Sequence, residues 1–358
     1  MNKKYAVIDT DIHTEIDNQR LLDFLPEPWR TRYASGNVGA RNLGYWNPNG
    51  VMRRDTVLPD GTRIEATPQT LSKHFFDAYN IEYGVINPQG GLPISLSPQA
   101  DYSASIATAI NEVVMNDWLP ADNRFRASVT VSASDPHLAV KEIHRVGAHP
   151  GMVQVLLPSA LHMPLGNRYY HPIFEAAVAY NLPIAIHPGP EGTGISGKPT
   201  AVGYPSTYLE WHTDLVGSMI AQVVSMVCEG VFAKFPTLKL IIVEGGVSWL
   251  PSLMWRFDKN WKALRMTTPW IDRPPSEIIQ EHVLLTTQPL EEPDRTRHFH
   301  QTLDMFDAGN MLMFSSDYPH WDGDMPDFAA NAFPEPMRAR VMAENARRVY
   351  GLEERQHA

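Results

Sequence analysis

Five residues of this chain could do chemistry together, and they sit in four short stretches. "VIDTDIH" (7–13) carries Asp11 and His13, and "LPIAIHPG" (182–189) carries His187. "KLIIVEGG" (239–246) carries Glu244, and "NMLMFSSD" (310–317) ends in Asp317. Each stretch begins apolar and closes on ionisable groups. Charge on a buried strand is costly unless something binds it. Neutral imidazole and carboxylate form an N/O donor set suited to Zn²⁺, Mn²⁺ or Fe²⁺. The expected ligands are Asp11, His13, His187 and Asp317, with a position open for water or substrate. Asp9, Asp11 and His13 are two residues apart, so on a regular strand they share a face. Asp9 is therefore expected one step deeper, orienting a neighbour.

The elements that must position these groups alternate along the chain. Eight Val/Ile-rich runs read as strands: 5–13, 82–88, 125–133, 151–159, 182–189, 239–246, 282–288 and 310–317. Amphipathic helical patterns lie between and after them, at 104–119, 137–148, 171–181, 215–235, 248–264, 294–309 and 336–352. Eight such units predict an α/β fold, a (β/α)₈ TIM barrel with lid insertions. A doubly wound sheet would need a glycine-rich turn after the first strand, and "DTDIHTEID" has no glycine. In a barrel the site lies at the C-terminal ends of the strands, where all five residues fall. The tryptophans and methionines of 249–266 read as helix packing.

One domain over residues 1–358 is expected, with an inserted loop or lid at about 36–70. That insert contains Arg41, Tyr45, Trp46, Arg53 and Arg54, and long loops at a barrel's catalytic end tend to form pocket walls. Arg53, Arg54 and His320 are expected to grip a carboxylate, and Trp321 to stack on a ring.

Composition narrows the classes. The 358 residues include 30 Lys and Arg against 40 Asp and Glu, a formal charge of −10. With no basic cluster, nucleic acid and anionic membranes are excluded as partners. The single cysteine, Cys228, rules out a disulfide framework and a thiolate-rich zinc site. No secretory signal precedes the first strand, and the longest apolar stretch, 215–228, is too short to span a bilayer. A cytoplasmic protein is expected. "GTGISGKP" (192–199) lacks the Ser/Thr of a phosphate loop, and "GVSWL" (246–250) lacks the final glycine of a serine nucleophile elbow.

These motifs carry a resemblance. With "FAKFPTLKLIIVEGGVSWLP", "FSSDYPHWD" and "ENARRVYGL", the chain resembles amidohydrolase family 2 nearly end to end. This is the branch of the metal-dependent amidohydrolases that contains aminocarboxymuconate-semialdehyde decarboxylase. The resemblance implies a (β/α)₈ barrel with one catalytic divalent metal per chain, zinc preferred and manganese the alternative. It matches His187 to the strand-five metal histidine and Asp317 to a strand-eight aspartate that binds metal and can shuttle a proton. The family's H-x-H becomes Asp11 and His13 here. The family's acid/base histidine becomes Glu244, and His212 in "LEWHTD" is a candidate replacement. A homodimer is expected by the same resemblance.

Two chemistries fit, both on a small cyclic or aromatic carboxylated molecule. One is hydrolysis by metal-activated water, with Asp317 or Glu244 taking the proton. The other is non-oxidative decarboxylation, with a side chain protonating the carbon that loses CO₂. The rivals are a barrel that only binds a ligand and a barrel enzyme without metal. Metal content and chelator sensitivity separate them.

Overall fold

The computed structural model describes residues 5–36, 56–57, 61, 66–88 and 90–355. Most of the expected lid, including Arg53 and Arg54, lies outside the described residues. Eight parallel strands follow one another in chain order: β1 (Val7–Thr14), β2 (Ile81–Pro88), β3 (Phe125–Thr130), β4 (Met152–Pro158), β5 (Ile184–His187), β6 (Leu240–Ile242), β7 (Val283–Thr286) and β8 (Leu312–Met313). Closure runs from β8 back to β1. The amide of Thr10 donates to the Phe314 carbonyl at 3.0 Å, that of His13 donates to Tyr318 at 2.7 Å, and Ile12 bridges Tyr318. The result is a (β/α)₈ barrel.

Buried parallel strands have no wet face, which is why they read as continuous Val, Ile and Leu. Ile8, Leu156, Ala185, Ile241, Leu284 and Met313 form one buried cluster, against which Val349 and Leu352 of the chain's end pack. A larger core lies elsewhere, with Val155, Ile184, Ile242 and Leu285 packed among helix residues such as Ile143, Phe174 and Met219.

The helices differ from expectation at their ends, for local reasons. The segment expected at 215–235 begins at Tyr208, because Thr207 and Glu210 form a reciprocal capping box there. That places His212 inside the helix Tyr208–Cys228. The expected final helix is three pieces: Glu335–Ala339, a π-helical turn Arg340–Glu344, and Asn345–Tyr350. On the helix Leu250–Leu264 and at its N-cap, Trp249, Met254 and Trp261 pack against the core. Trp255 and Met266 do not, being 58% and 85% exposed. Apolar type alone did not reveal which face each would take.

Candidate metal centre and active site

Asp11, His13, His187, Glu244 and Asp317 meet at the C-terminal rim, each offering a ligand atom within 4.8 Å of the others. Strand β1 shifts register between Asp9 and Ile12, so simple alternation fails there. Asp9 instead turns its Oδ1 to the amides of Asp11 (3.1 Å) and Ser316 (3.0 Å), tying β1 to the end of β8. Burial raises Asp9 to about 7. Asp9 thus orients backbone beside the cluster, in the role expected of it.

The tautomers of the two inner histidines are set by their partners. His13 Nδ1 faces the carbonyl of Asn87 at 3.1 Å, and His187 Nδ1 faces that of Pro188 at 2.7 Å. A carbonyl only accepts, so both Nδ1 atoms carry hydrogen and both Nε2 atoms are turned inward. Those Nε2 atoms are 3.2 Å apart. Two lone pairs at that distance repel unless a proton or a cation lies between them. Asp11 Oδ2 is buried beside them and accepts no hydrogen bond, while its Oδ1 is used by Asn87 Nδ2 at 2.7 Å. A divalent cation would satisfy all of these atoms, so the residues fit a metal.

The outer groups complete the rim. Asp317 Oδ1 is 3.0 Å from His13 Nε2 and 2.7 Å from His320 Nδ1, and its Oδ2 accepts from Gln288 Nε2 at 3.3 Å. Glu244 Oε2 lies 3.1 Å from His187 and Oε1 lies 3.7 Å from His212, which is itself 3.3 Å from Asp322. Glu244 and Asp317 have φ of 56° and 52°, the left-handed region, where a non-glycine side chain is strained. Such strain clusters at functional sites.

Electrostatics divides the carboxylates. Burial opposes ionisation of Asp317, but His320 and His13 overcome it and hold it below the usual range. Burial, and then Asp317, push Glu244 well above that range. Burial also opposes charge on His187, yet Asp11 and Glu244 lift it to about 10. His320 rises to about 9 against burial because of Asp317.

Over the cluster opens a cavity of about 290 Å³, walled by Tyr208, Trp211, His212, His320 and Trp321, with His13, His187 and Glu244 at its base. Among the described lining residues there is no lysine or arginine. His320 and Trp321, the residues expected to grip a carboxylate and stack on a ring, both line this cavity. Asn87, Gln288 and Asp322 were missed. Their types are ordinary, and only their place at strand ends could have marked them.

Beneath the rim runs a column of hydrogen bonds. Tyr350 Oη donates to Gln154 Oε1 (2.8 Å), Gln154 Nε2 donates to Ser128 Oγ (2.9 Å), and Ser128 donates to Asn87 Oδ1. Asn87 then donates to Asp11.

The amidohydrolase family profile matches residues 76–352. The chain belongs to this family. The γ-resorcylate decarboxylase of Rhizobium sp. (strain MTP-10005) is 23% identical over 305 residues, covering 77% of this chain and 85% of the relative. Among solved structures, an amidohydrolase of Mycobacterium avium subsp. paratuberculosis superposes with a TM-score of 0.75 at 20% identity, covering 98% of this chain and 100% of the other. The manganese-containing 5-carboxyvanillate decarboxylase of Novosphingobium aromaticivorans gives a TM-score of 0.70 at 17% identity, covering 98% and 97%. These structural likenesses establish the fold. As an amidohydrolase, the chain is an enzyme of a superfamily that includes hydrolases and carboxy-lyases, and its rim carries a divalent-metal site.

Proposed function

We propose that this amidohydrolase removes CO₂ from a small hydroxylated aromatic acid without oxidation. The observation that carries the reading is the aromatic-walled cavity lined by His320, whose Nδ1 is bonded to the buried carboxylate of Asp317. The decarboxylases similar to this chain support it.

Asp11, His13, His187 and Asp317 would hold the cation, with Glu244 at its edge. Manganese is favoured over zinc because half of the four ligands are hard carboxylates with a third carboxyl, Glu244, at the edge, and because the 5-carboxyvanillate enzyme contains manganese. When bound, the cation polarises the carboxylate and its neighbouring oxygen and offsets negative charge at the rim.

The chain's own groups do the rest. Trp321 stacks on the ring. Asp317, ionised at rest, relays a proton from the charged His320 to the ring carbon that bears the carboxylate. The C–C bond then breaks, its electron pair restores the ring's aromaticity, and CO₂ leaves. Glu244, kept protonated by burial, donates to the substrate instead of repelling it, with His212 and Asp322 behind it. Arg53 and Arg54 of the insert would meet the carboxylate. The reading includes one domain, a cytoplasmic location, in keeping with a single free cysteine, and a homodimer.

The test is CO₂ release from a panel of hydroxybenzoates by protein loaded with Mn²⁺ or Zn²⁺, run in D₂O. One deuterium at the vacated carbon is expected, with loss of turnover after chelation. Amide or lactone cleavage without CO₂ from any panel member would replace this reading with a hydrolase.

A further inference from the structure

One fully buried acid lies outside the chemistry just described. Glu191 is 2% exposed, in the loop after β5. Its Oε2 accepts the Gly189 amide at 2.7 Å, two residues beyond His187. Its Oε1 accepts from the hydroxyls of Ser159 and Ser218, the latter at 2.9 Å. Ser159 ends the β4 side of the rim, and its amide donates to the His187 carbonyl at 2.8 Å. Ser218 belongs to the helix Tyr208–Cys228, which supplies Tyr208, Trp211 and His212 to the cavity wall. The Glu191 carbonyl accepts from Trp211 Nε1 at 3.3 Å.

We propose that Glu191 is the positioning residue that joins the metal-binding histidine of β5 to the substrate wall. Its carboxylate pins the turn whose Pro188 carbonyl fixes the His187 tautomer. The same carboxylate docks the wall helix at a set distance from that turn. Two functions, metal affinity and substrate fit, therefore depend on one side chain that touches neither ligand. The substrate half of this inference rests on the decarboxylase reading, whereas the metal half does not.

A carboxamide can replace the carboxylate here. The Ser159 and Ser218 hydroxyls rotate to accept from an NH₂, and the remaining oxygen still accepts the Gly189 amide. An alanine leaves that amide without its acceptor and breaks the tie between Ser159 and the wall helix, the Ser218 hydroxyl turning to the Leu215 carbonyl of its own helix.

The experiment compares Glu191→Gln, Glu191→Ala and Ser218→Ala, with folding checked by circular dichroism and melting. Partners behind a metal ligand are worth about 10- to 100-fold in metal affinity, so Glu191→Ala should raise the Mn²⁺ dissociation constant by about that factor, and Glu191→Gln should restore it to within roughly threefold. KM should rise with Glu191→Ala more than kcat falls. Ser218→Ala, which loosens only the wall, should raise KM and leave Mn²⁺ affinity unchanged. A folded Glu191→Ala protein with wild-type Mn²⁺ affinity and KM overturns the proposal. If Glu191→Ala does not fold, an unchanged KM in Ser218→Ala overturns the joint. Mn²⁺ affinity is read without substrate. A wild-type enzyme that releases no CO₂ would sink the decarboxylase reading and leave the metal half standing.

Discussion

His187 carries the residue-scale argument. Its pKa of about 10 belongs to a metal-free site in which the buried Asp11, above all, favours a cation, and a proton supplies it. Metal must displace that proton. Binding at pH 7 should thus release about one proton, and affinity should climb about tenfold per pH unit below 10. Calorimetry in two buffers of different ionisation enthalpy measures this directly; a binding enthalpy independent of buffer would contradict it. The stability sign is the opposite. A histidine raised in the folded state stabilises the metal-free protein fully below about pH 6.5, and this is lost as pH rises through about 10. His187→Ala should lose metal and turnover while the fold persists. Asp317→Asn should cut kcat by about 10²- to 10⁴-fold, the usual worth of a placed proton carrier. The charged cluster of the rim was legible in the sequence because an ionisable group ending an apolar run is conspicuous. Asn87 and Gln288 were not. Neutral amides at strand ends are common, and theirs matter only because folding brings them to Asp11 and Asp317.

At the scale of elements, the chain's last helix is tied to the barrel by charge. Arg347, on Asn345–Tyr350, donates to Glu82 Oε2 of β2 at 2.6 Å, and the Arg355 amide donates to Glu82 Oε1 at 2.9 Å. The Glu82 side chain is 1% exposed. Removing the guanidinium strands a buried carboxylate, so Arg347→Ala should cost about 3 kcal/mol. The urea midpoint should fall with the m-value and metal content unchanged. All eight strands could be read from short apolar runs that end in polar groups, seven of them carrying Val or Ile and the eighth only Met, Leu and Phe. Helix ends were less legible. The capping box of Thr207 and Glu210 was present in the sequence, but the apolar pattern begins only at Leu215 and pulled the expected start there.

Across the whole molecule, among the described residues no helix is long and apolar enough to cross a membrane. Apolar side chains nevertheless face outward. Trp255, Leu264 and Met266 are 58%, 58% and 85% exposed, on and just beyond one helix. A homodimer would cover them. Sedimentation should find two chains per particle, and Trp255→Glu should give single chains that keep their metal. A wild-type protein that sediments as a single chain would exclude the dimer. Sequence marked Trp255 and Met266 as interior because it records apolar character and not which way a helix is turned.

The column from Tyr350 to Asp11 also has a polarity. Every link donates in the same sense, toward the rim, and Asn87 cannot be turned over without placing its carbonyl oxygen against a carboxylate. One oxygen of Asp11 is thereby permanently claimed from below and the other is offered upward. The floor of the barrel decides which lone pairs a cation can meet, and it partly neutralises the carboxylate that meets them. The acidity of whatever such a cation bound would therefore be tuned from the chain's last helix, beneath the rim.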